Sequence, residues 1–440
     1  MPTSQMPTSQ PDREPAYRQP GTILRDRSFT VPLDHARPDG EQIEVFAREV
    51  TSAAKEAEDL PWLVYLQGGP GFGAPRPSGR EGWLDRALND FRVLLLDQRG
   101  TGRSTPATRQ TLARLGSPRA QADYLAHFRA DSIVADAEMI RPQVTGGDRW
   151  SVLGQSFGGF CTVTYLSQAP EGVREAFITG GLPGLSASAD EVYRATYRMV
   201  AQKNAEHYRR YPGDAEQARR VAGILAREPV RLPGGGLLTV EAFQALGHGL
   251  GMSTGSDQLH YLLEDPFAGG ELSDAFLSEA QSRLSFAAAP MYAVLHEACY
   301  AQAAATRWAA SRVREEFGDF TAVSSLTTGV PVLFTGEMIY PWMFETDPAL
   351  APLAGAAELL AAKDDWPPLY DQARLAANEV PVAAAIYYED MYVPAELSIP
   401  TARAIDGLRA WITNEYQHDG LRVSSGAVLD RLIGMARGLV

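Results

Sequence analysis

Five consecutive residues, Gly154-Gln155-Ser156-Phe157-Gly158, have the types and spacing of a serine nucleophile held in a tight turn. An apolar stretch ends at this Gly-x-Ser-x-Gly motif, and a stretch suited to a helix follows it at once. In such a strand-to-helix turn the serine hydroxyl stands above the edge of a sheet, and the flanking glycines leave room that side chains would fill. The motif predicts that Ser156 is a catalytic nucleophile.

A serine hydroxyl becomes an effective nucleophile when an imidazole accepts its proton and a carboxylate orients that imidazole. In folds built on this turn, the histidine follows the last strand of the sheet. Only one of the seven histidines, His418, lies in the final quarter of the chain, between a predicted strand over 408–416 and a predicted helix over 427–435. The order of the chain therefore predicts His418 as the base. Two histidines precede Ser156, and the other four fall within the insertion predicted below: His207, His248, His260 and His296.

The carboxylate that orients the histidine has more than one candidate. Two apolar segments end in carboxylates, one at Glu337 and the other at Glu389 and Asp390. The crossover between the last two strands of a parallel sheet needs only a short loop and a helix, and residues 391–407 offer both. This favours Asp390 over the more distant Glu337. Glu389 remains a near alternative, because an error of one residue in the strand boundary would exchange the two.

Two backbone amides must bind the oxyanion of the tetrahedral intermediate. One should belong to Phe157, directly after the nucleophile, and the other to the loop after the first apolar strand of the sheet. That loop, residues 67–71, reads Gln-Gly-Gly-Pro-Gly, and we predict that Gly69 supplies the second amide. We expect Asp97 and Arg99 to form a structural ion pair that holds this loop, not to act in catalysis.

The elements around these motifs alternate between strand and helix. Residues 27–35 and 42–51 indicate an antiparallel hairpin, whereas residues 61–66 and 91–96 are nearly all apolar, as strands covered on both faces are. Helical segments separate these strands from the strand before Ser156 and from the next one. The alternation predicts an α/β fold with a doubly wound, mostly parallel sheet and a site at the carboxyl ends of its strands.

A long insertion of a different pattern interrupts this alternation. Amphipathic helices follow one another from about residue 183 to 328, the first beginning at a capping box of Ser188 and Glu191. An insertion at this point of an α/β core lies over the nucleophile, so we predict a mostly helical cap domain. The predicted organisation is a disordered tail over 1–22, a core over 23–182, a cap over 183–328, a cap-to-core segment contributing to the substrate pocket over 329–380, and the rest of the core over 381–440.

Composition limits the partners and the location. The chain has 54 acidic and 40 basic residues, and this net charge of −14 argues against binding to nucleic acid. Two cysteines are too few for a disulfide framework, which favours the cytoplasm. No apolar run approaches the roughly 20 residues that span a bilayer, and the start of the chain lacks the apolar stretch of a signal peptide. The sequence predicts no oligomeric state.

Three motifs together resemble those of the prolyl aminopeptidases, or proline iminopeptidases, which are serine peptidases of the α/β-hydrolase fold. They are the loop at 67–71, the segment Asp-Gln-Arg-Gly-Thr-Gly-Arg-Ser at 97–104, and the turn at 154–159. The resemblance covers the chain from about residue 27 and is nearest to the longer bacterial branch, which has a large cap. Many members have histidine in place of Gln67, and the shorter ones have tryptophan in place of Phe157. The first departure leaves the oxyanion amides intact and bears mainly on loop packing.

The resemblance implies a serine exopeptidase that releases N-terminal proline from small peptides through an acyl-enzyme, without metal or other cofactor. Members of the family hold the charged imino nitrogen of the substrate with carboxylates from or near the cap. Here we assign that role to Glu297 and Glu337, which lie among aromatic residues. Phe157, Tyr340 and Trp342 are candidates for a pocket around the proline ring.

Two other functions stay open at this point. The same groups could act on another amide or ester, and a protein of this fold could bind a ligand without turnover. The second is disfavoured because non-catalytic members usually lose the serine, the histidine or the oxyanion glycines, and all have candidates here. Epoxide hydrolase or dehalogenase chemistry is also disfavoured, since it needs a carboxylate at the position of Ser156.

Overall fold

The computed structural model of the protein describes residues 16–327 and 330–440. The strands in this part of the chain are β1 (Ala16–Gln19), β2 (Thr22–Pro32), β3 (Gln42–Ser52), β4 (Trp62–Leu66), β5 (Arg92–Leu96), β6 (Trp150–Gln155), β7 (Val173–Thr179), β8 (Val230–Arg231), β9 (Leu237–Leu238), β10 (Phe267–Ala268), β11 (Glu271–Leu272), β12 (Val382–Tyr387) and β13 (Arg409–Thr413). One nine-stranded sheet has the order β1-β2-β3-β5-β4-β6-β7-β12-β13, while β8 pairs with β9 and β10 with β11.

The large sheet is antiparallel at one edge and parallel elsewhere. Strands β1, β2, β3 and β5 pair antiparallel in that order, and all pairs from β5 to β13 are parallel. Leu66 pairs with Gly154 and Gln155 with Thr179, so the carboxyl ends of β4, β6 and β7 meet at one edge of the sheet. The predicted fold class, a doubly wound and mostly parallel α/β sheet, is confirmed.

Helices account for most of the remaining chain. The α-helices within the described residues are α1 (Gly82–Ala87), α2 (Arg109–Leu112), α3 (Pro118–Leu125), α4 (Ala130–Thr145), α5 (Phe157–Gln168), α6 (Ala189–Arg210), α7 (Asp214–Leu225), α8 (Val240–Gln244), α9 (Gly255–Glu264), α10 (Asp274–Leu284), α11 (Pro290–Leu295), α12 (Ala309–Arg314), α13 (Ala322–Thr327), α14 (Met343–Thr346), α15 (Ala354–Ala362), α16 (Gln372–Ala376), α17 (Ala395–Ala404), α18 (Gly420–Val423) and α19 (Ala427–Ala436). Short 3-10 helices cover Ala53–Lys55, Ala113–Leu115, Pro170–Gly172, Ala245–Gly251, Glu297–Tyr300, Gly318–Phe320 and Ala351–Leu353. Among these described helices, none is both long and apolar enough to pass through a bilayer.

Helices cover both faces of the sheet, which explains the apolar character of the parallel strands. Along β4, Leu63 and Tyr65 belong to one apolar cluster with α1 and α19. Val64 and Leu66 belong to the cluster on the opposite face, with α4 and α5. Successive side chains of a strand point to opposite faces, so a strand buried on both sides must be apolar throughout.

The insertion between β7 and β12 is mostly helical, with helices α6 to α16 and the two short hairpins. Its first helix, α6, begins at Ser188, whose hydroxyl accepts a hydrogen bond from the amide of Glu191, and the Glu191 side chain accepts one in return from the amide of Ser188. This is the predicted capping box. The apolar residues of the insertion form one continuous cluster with those of the α4 and α5 face, so the insertion packs against that layer.

The start of the chain differs from the predicted disordered tail over 1–22. Residues 1–15 lie outside the described residues, but β1 follows at Ala16 and pairs with β2, with Gln19 opposite Thr22. Most side chains of β1 are exposed, and a strand at the edge of a sheet is held by its backbone. Composition therefore gave no sign of this strand.

A second difference concerns the apolar segment that ends at Glu337, residues 331–336, whose composition predicts a strand. Val332 and Phe334 are buried there, but the segment joins no sheet in the described chain. Asn204 of α6 instead binds both backbone groups of Phe334, with its Oδ1 2.8 Å from the amide and its Nδ2 2.8 Å from the carbonyl oxygen. This side chain takes the place of a neighbouring strand and fixes the backbone just before Glu337.

The turn after β6 is packed too closely to hold a side chain at Gly158. A Cβ atom on Gly158 would lie 1.9 Å from the carbonyl oxygen of Leu66, whereas a Cβ atom on Gly223 in α7 would meet nothing within 4 Å. We expect Gly158→Ala to lower the free energy of unfolding by about 3 kcal/mol or more. Gly223→Ala should raise it by about 0.5–1 kcal/mol. Urea denaturation measures both, and a Gly158→Ala protein as stable as the wild type would contradict this account of the turn.

Candidate active site

Ser156 occupies the turn between β6 and α5 in an unusual backbone conformation. Its φ of 56° and ψ of −125° lie outside the regions that residues other than glycine normally adopt. The turn is held because the Ser156 amide donates to the carbonyl oxygen of Thr179, at 3.0 Å. Strain of this kind is typical of functional sites, and here it places the serine at the carboxyl edge of the sheet.

His418 and Asp390 form a buried pair beside this edge. The loop after β13 carries His418, and Asp390 follows β12 by three residues. His418 Nδ1 donates to Asp390 Oδ2 at 2.7 Å, and Asp390 Oδ1 accepts from the amides of Tyr392 and Val393 at 2.8 and 3.0 Å. When Nδ1 of a neutral imidazole donates its hydrogen to a carboxylate, Nε2 carries no hydrogen and can accept a proton.

The charge of Asp390 also acts on the imidazole. Burial disfavours the protonated form of His418, but the charge and hydrogen bond of Asp390, helped by the charge of Glu337, outweigh burial and raise the pKa of His418 above its ordinary value. A base that has taken up a proton is thus stabilised at this position.

The backbone of Ser156 and the pair of His418 and Asp390 both lie close to Gly180 and Gly181, which follow β7. A Cβ atom on Gly181 would lie 2.5 Å from the carbonyl oxygen of Ser156. One on Gly180 would lie 3.1 Å from His418 Nδ1 and 3.2 Å from Asp390 Oδ2. The structure therefore brings the three predicted triad residues around one pair of glycines.

The other two candidates for the acid have different partners. Glu389 binds Nζ of Lys203 through Oε2 at 3.2 Å. Glu337 accepts a hydrogen bond from the hydroxyl of Tyr292 at 2.6 Å. The geometry thus selects Asp390 among the three as the partner of His418.

The glycine-rich loop after β4 packs directly on the serine. A Cβ atom on Gly68 would lie 2.8 Å from the Cβ of Ser156. Gly69 has a φ of 140°, which side-chain-bearing residues rarely adopt. The amide of Phe157 is the first of α5, and the first N–H groups of a helix have no partner within it. These positions are compatible with the predicted oxyanion roles of Gly69 and Phe157.

The predicted ion pair between Asp97 and Arg99 is wrong, because each side chain has other partners. Asp97 accepts from the amides of Ala74 and Arg103, both at 2.8 Å, and from the Arg76 guanidinium at 2.9 Å. Arg99 donates through Nε to Asp136 at 2.7 Å. Because both side chains are buried, each needs hydrogen-bond partners, and the two find them in different parts of the structure. Asp97 therefore holds the segment just after the glycine-rich loop, through Ala74 and Arg76.

Glu337 lies within electrostatic range of His418 and Asp390, and its pKa is unusual. Burial raises the pKa of Glu337 to about 7, the nearby charge of Asp390 adds to this, and the Tyr292 hydrogen bond and His418 oppose it. Its neighbours Gly336 and Met338, together with Tyr292 and Trp342, line a cavity of about 680 Å³. A cavity of this size is suited to a small organic ligand.

Two of the four predicted substrate-binding residues lie elsewhere. The carboxylate of Glu297 accepts from the amides of Ala309 and Ala310, at 3.0 and 2.9 Å, and so caps the start of α12. Tyr340 is only 1% exposed, and its hydroxyl lies 2.7 Å from that of Tyr197. The expectation that these two bind substrate is corrected, because their polar atoms are already satisfied within the core. Phe157, the further ring-pocket candidate, is also buried.

Sequence reasoning missed three residues around the site, Tyr292, His248 and Tyr392. The ring of Tyr392 lies 4.6 Å from that of His418, and the His248 ring lies 5.6 Å from Tyr392 and 6.1 Å from Tyr292. Burial and the neighbouring His418 lower the pKa of His248 to about 4, so it is neutral at pH 7. Chain order had set His248 aside as a cap residue, and no local motif marked the tyrosines. Across the described ranges, no group of three or more acidic, histidine or cysteine side chains is placed to hold a metal ion.

Known proteins resemble this chain in sequence over nearly its full length. A family model described as the alpha/beta hydrolase fold matches residues 61–226. A proline iminopeptidase of Aeromonas sobria is 54% identical over 422 residues, covering 96% of this chain and 98% of the relative. A proline iminopeptidase of Aspergillus aculeatus is 36% identical over 420 residues, covering 92% of each. A solved structure of a proline iminopeptidase from Mycobacterium smegmatis is 16% identical, covers 94% of this chain and 97% of its own, and has a TM-score of 0.45.

The two candidate acids that are adjacent in sequence allow a matched test of the site. We expect Asp390→Asn to slow covalent labelling of Ser156 by a fluorophosphonate on the order of 10³–10⁴-fold, because the histidine loses the acceptor that fixes its tautomer. Glu389→Gln removes only the pairing with Lys203 and should leave the labelling rate within twofold of the wild type. Equal rates for the two variants would contradict this assignment of the acid.

Proposed function

Because this chain belongs to the proline iminopeptidase family of α/β hydrolases, it is a prolyl aminopeptidase, and we propose that Ser156, His418 and Asp390 carry out the reaction. The observation that carries this assignment is the buried 2.7 Å hydrogen bond from His418 Nδ1 to Asp390 Oδ2, placed beside the strained turn of Ser156. Groups in this arrangement activate a serine hydroxyl.

The proposed reaction has two halves. Ser156 Oγ attacks the prolyl carbonyl while His418 Nε2 accepts its proton, and the amides of Gly69 and Phe157 stabilise the oxyanion. His418 then gives the proton to the leaving amine, so the shortened peptide departs and the prolyl group stays on Ser156 as an ester. A water molecule, deprotonated by His418, releases proline and restores the serine. Asp390 accepts the hydrogen bond of His418 Nδ1 in both halves and stabilises the imidazolium.

Recognition of the free N-terminus is assigned to Glu337. It lies within electrostatic range of both His418 and Asp390 and next to the cavity. Among the described residues no lysine, arginine or histidine forms an ion pair with it, so its charge is available to a cation from outside the protein. The imino nitrogen of an N-terminal proline is such a cation, and Trp342 offers an apolar wall of the same cavity.

The domain organisation follows from this assignment. We assign residues 183–328 to a cap that limits access to the end of a small peptide, and residues 329–380 to a segment that supplies Glu337 and Trp342. The two cysteines, Cys161 and Cys299, are free and buried, which supports the proposal that the enzyme works in the cytoplasm.

Replacement of the nucleophile tests the mechanism. Ser156→Ala should reduce hydrolysis of proline p-nitroanilide to the detection limit, because no acyl-enzyme can form, while circular dichroism and the melting temperature stay near those of the wild type. The wild-type enzyme should fail to hydrolyse the N-acetylated substrate, which lacks the charge that Glu337 would bind. Turnover by Ser156→Ala would show that another group is the nucleophile.

The role of Glu337 can be tested through pH. Its pKa of about 7 means that it is mostly neutral below pH 7 and charged above it, so the KM for proline p-nitroanilide should fall as pH rises through 7. Above about pH 8 the substrate amine begins to lose its proton, and KM should rise again. We expect Glu337→Gln to raise KM about 10- to 100-fold at pH 7.5 and to remove the decrease around pH 7. An unchanged KM and pH profile in this variant would exclude Glu337 as the anchor.

A further inference from the structure

Tyr292 is in contact with two parts of the site that the mechanism must hold at a fixed separation. Its hydroxyl donates to Glu337 Oε1 at 2.6 Å. Its backbone nitrogen lies against the glycine-rich loop, where a Cβ atom on Gly71 would approach it to 2.8 Å. Its ring also packs against Phe72 of that loop, with the ring centroids 5.3 Å apart. One residue of the short helix α11 thus joins the amine anchor to the loop that carries an oxyanion amide.

We propose that Tyr292 is a positioning residue that orients the Glu337 carboxylate toward the substrate nitrogen and thereby sets the preference for substrates with a free N-terminal amine. The inference rests on the proposed role of Glu337. It assigns Tyr292 no contact with the reacting atoms.

The surroundings of Glu337 make this hydrogen bond important. Within the described residues, Tyr292 is the one side chain that donates a hydrogen bond to the Glu337 carboxylate, and none of these residues donates one to Oε2. A glutamate side chain has three rotatable bonds, and ordering it costs conformational entropy. A single donor on Oε1 fixes the carboxylate plane and leaves Oε2 for a ligand.

The charge balance indicates what that ligand is. Buried carboxylates are usually paired with a basic group, and an unpaired one is unfavourable. The groups that face Glu337 from the packed elements are the hydrogen-bonded pair of His418 and Asp390 and several un-ionised side chains, namely Tyr193, Tyr292, Tyr300, Tyr392, His296 and Cys299. A cationic substrate nitrogen would supply the missing partner.

Tyr292 is itself held firmly. Its ring stacks on Phe286 at 5.7 Å between centroids, and the His296 ring lies 5.1 Å away on the next turn. Its amide donates to the carbonyl oxygen of Ala289 at 3.0 Å. A rigid tyrosine between Glu337 and the glycine-rich loop holds the substrate nitrogen at a fixed distance from the scissile carbonyl. This distance suits a nitrogen bonded to the carbon next to that carbonyl, as in an N-terminal residue.

The test compares two substrates in the Tyr292→Phe enzyme. One is proline p-nitroanilide, and the other is the p-nitrophenyl ester of cyclopentanecarboxylic acid, which has the same ring size but no nitrogen. We expect kcat/KM for the prolyl substrate to fall about 10-fold or more, chiefly through KM, and that for the ester to stay within twofold. An equal loss on both substrates, or no loss on the prolyl one, would overturn the proposal.

Tyr208→Phe is the matched control. It also removes one buried hydroxyl of the insertion, which donates to the carbonyl oxygen of Val332 at 2.6 Å. Both substrates should react with this variant as with the wild type. A selective loss on the prolyl substrate in this control as well would show that any lost hydroxyl in the insertion has the effect, and would overturn the specific role of Tyr292.

A double variant separates positioning from general disturbance. If Tyr292 acts through Glu337, the variant carrying both Tyr292→Phe and Glu337→Gln should lose no more activity toward the prolyl substrate than Glu337→Gln alone, whereas independent effects would multiply. Multiplying losses would overturn the inference. A wild-type enzyme that hydrolyses the ester but not the p-nitroanilide would instead contradict the proposed function, and the inference with it.

Discussion

The hydrogen bond between His418 and Asp390 is the interaction on which the rest of the site depends. It joins the loops after β12 and β13, two parallel strands in direct register, and it is shielded from water. Asp390 also accepts hydrogen bonds from two backbone amides, and donors of this kind stabilise a carboxylate. In the proposed mechanism, the imidazole beside it takes up the proton of Ser156, and the charge of Asp390 favours the resulting imidazolium.

Two carboxylates within electrostatic range of each other therefore have different properties. Asp390 accepts hydrogen bonds from two backbone amides and from His418, so its charge acts on a group of the protein itself. Among the described residues, Glu337 accepts a hydrogen bond from one side chain, that of Tyr292, and its pKa is raised, and we propose that a substrate cation balances its charge. Burial disfavours the charged form of both carboxylates, but they differ in the number of hydrogen-bond donors. In the proposed mechanism, Asp390, with more donors, orients the base, and Glu337, with fewer, binds the substrate. This division explains how a single acidic neighbourhood could serve both chemistry and recognition.

Chain order and strand ends were enough to predict the sheet and to nominate Ser156, His418 and Asp390. These features are linear, because in a parallel sheet the residues after each strand gather at one edge. The contacts of the insertion join residues that are not related by any order along the chain. Glu297 caps a helix that begins 12 residues later, and Tyr292 meets a loop more than 200 residues earlier. Such partners depend on how the helices cross, and no local sequence pattern shows this. The segment before Glu337 has the apolar composition of a buried strand, although it joins no sheet among the described residues.

A crystal structure of the enzyme with prolyl boronic acid would test the central claim most directly, since the boron adopts the tetrahedral geometry of the intermediate. We expect boron bonded to Ser156 Oγ, His418 Nε2 within hydrogen-bonding distance of the adduct, and the imino nitrogen within hydrogen-bonding distance of Glu337. A boronate attached to another residue, or His418 out of reach of the adduct, would contradict the account.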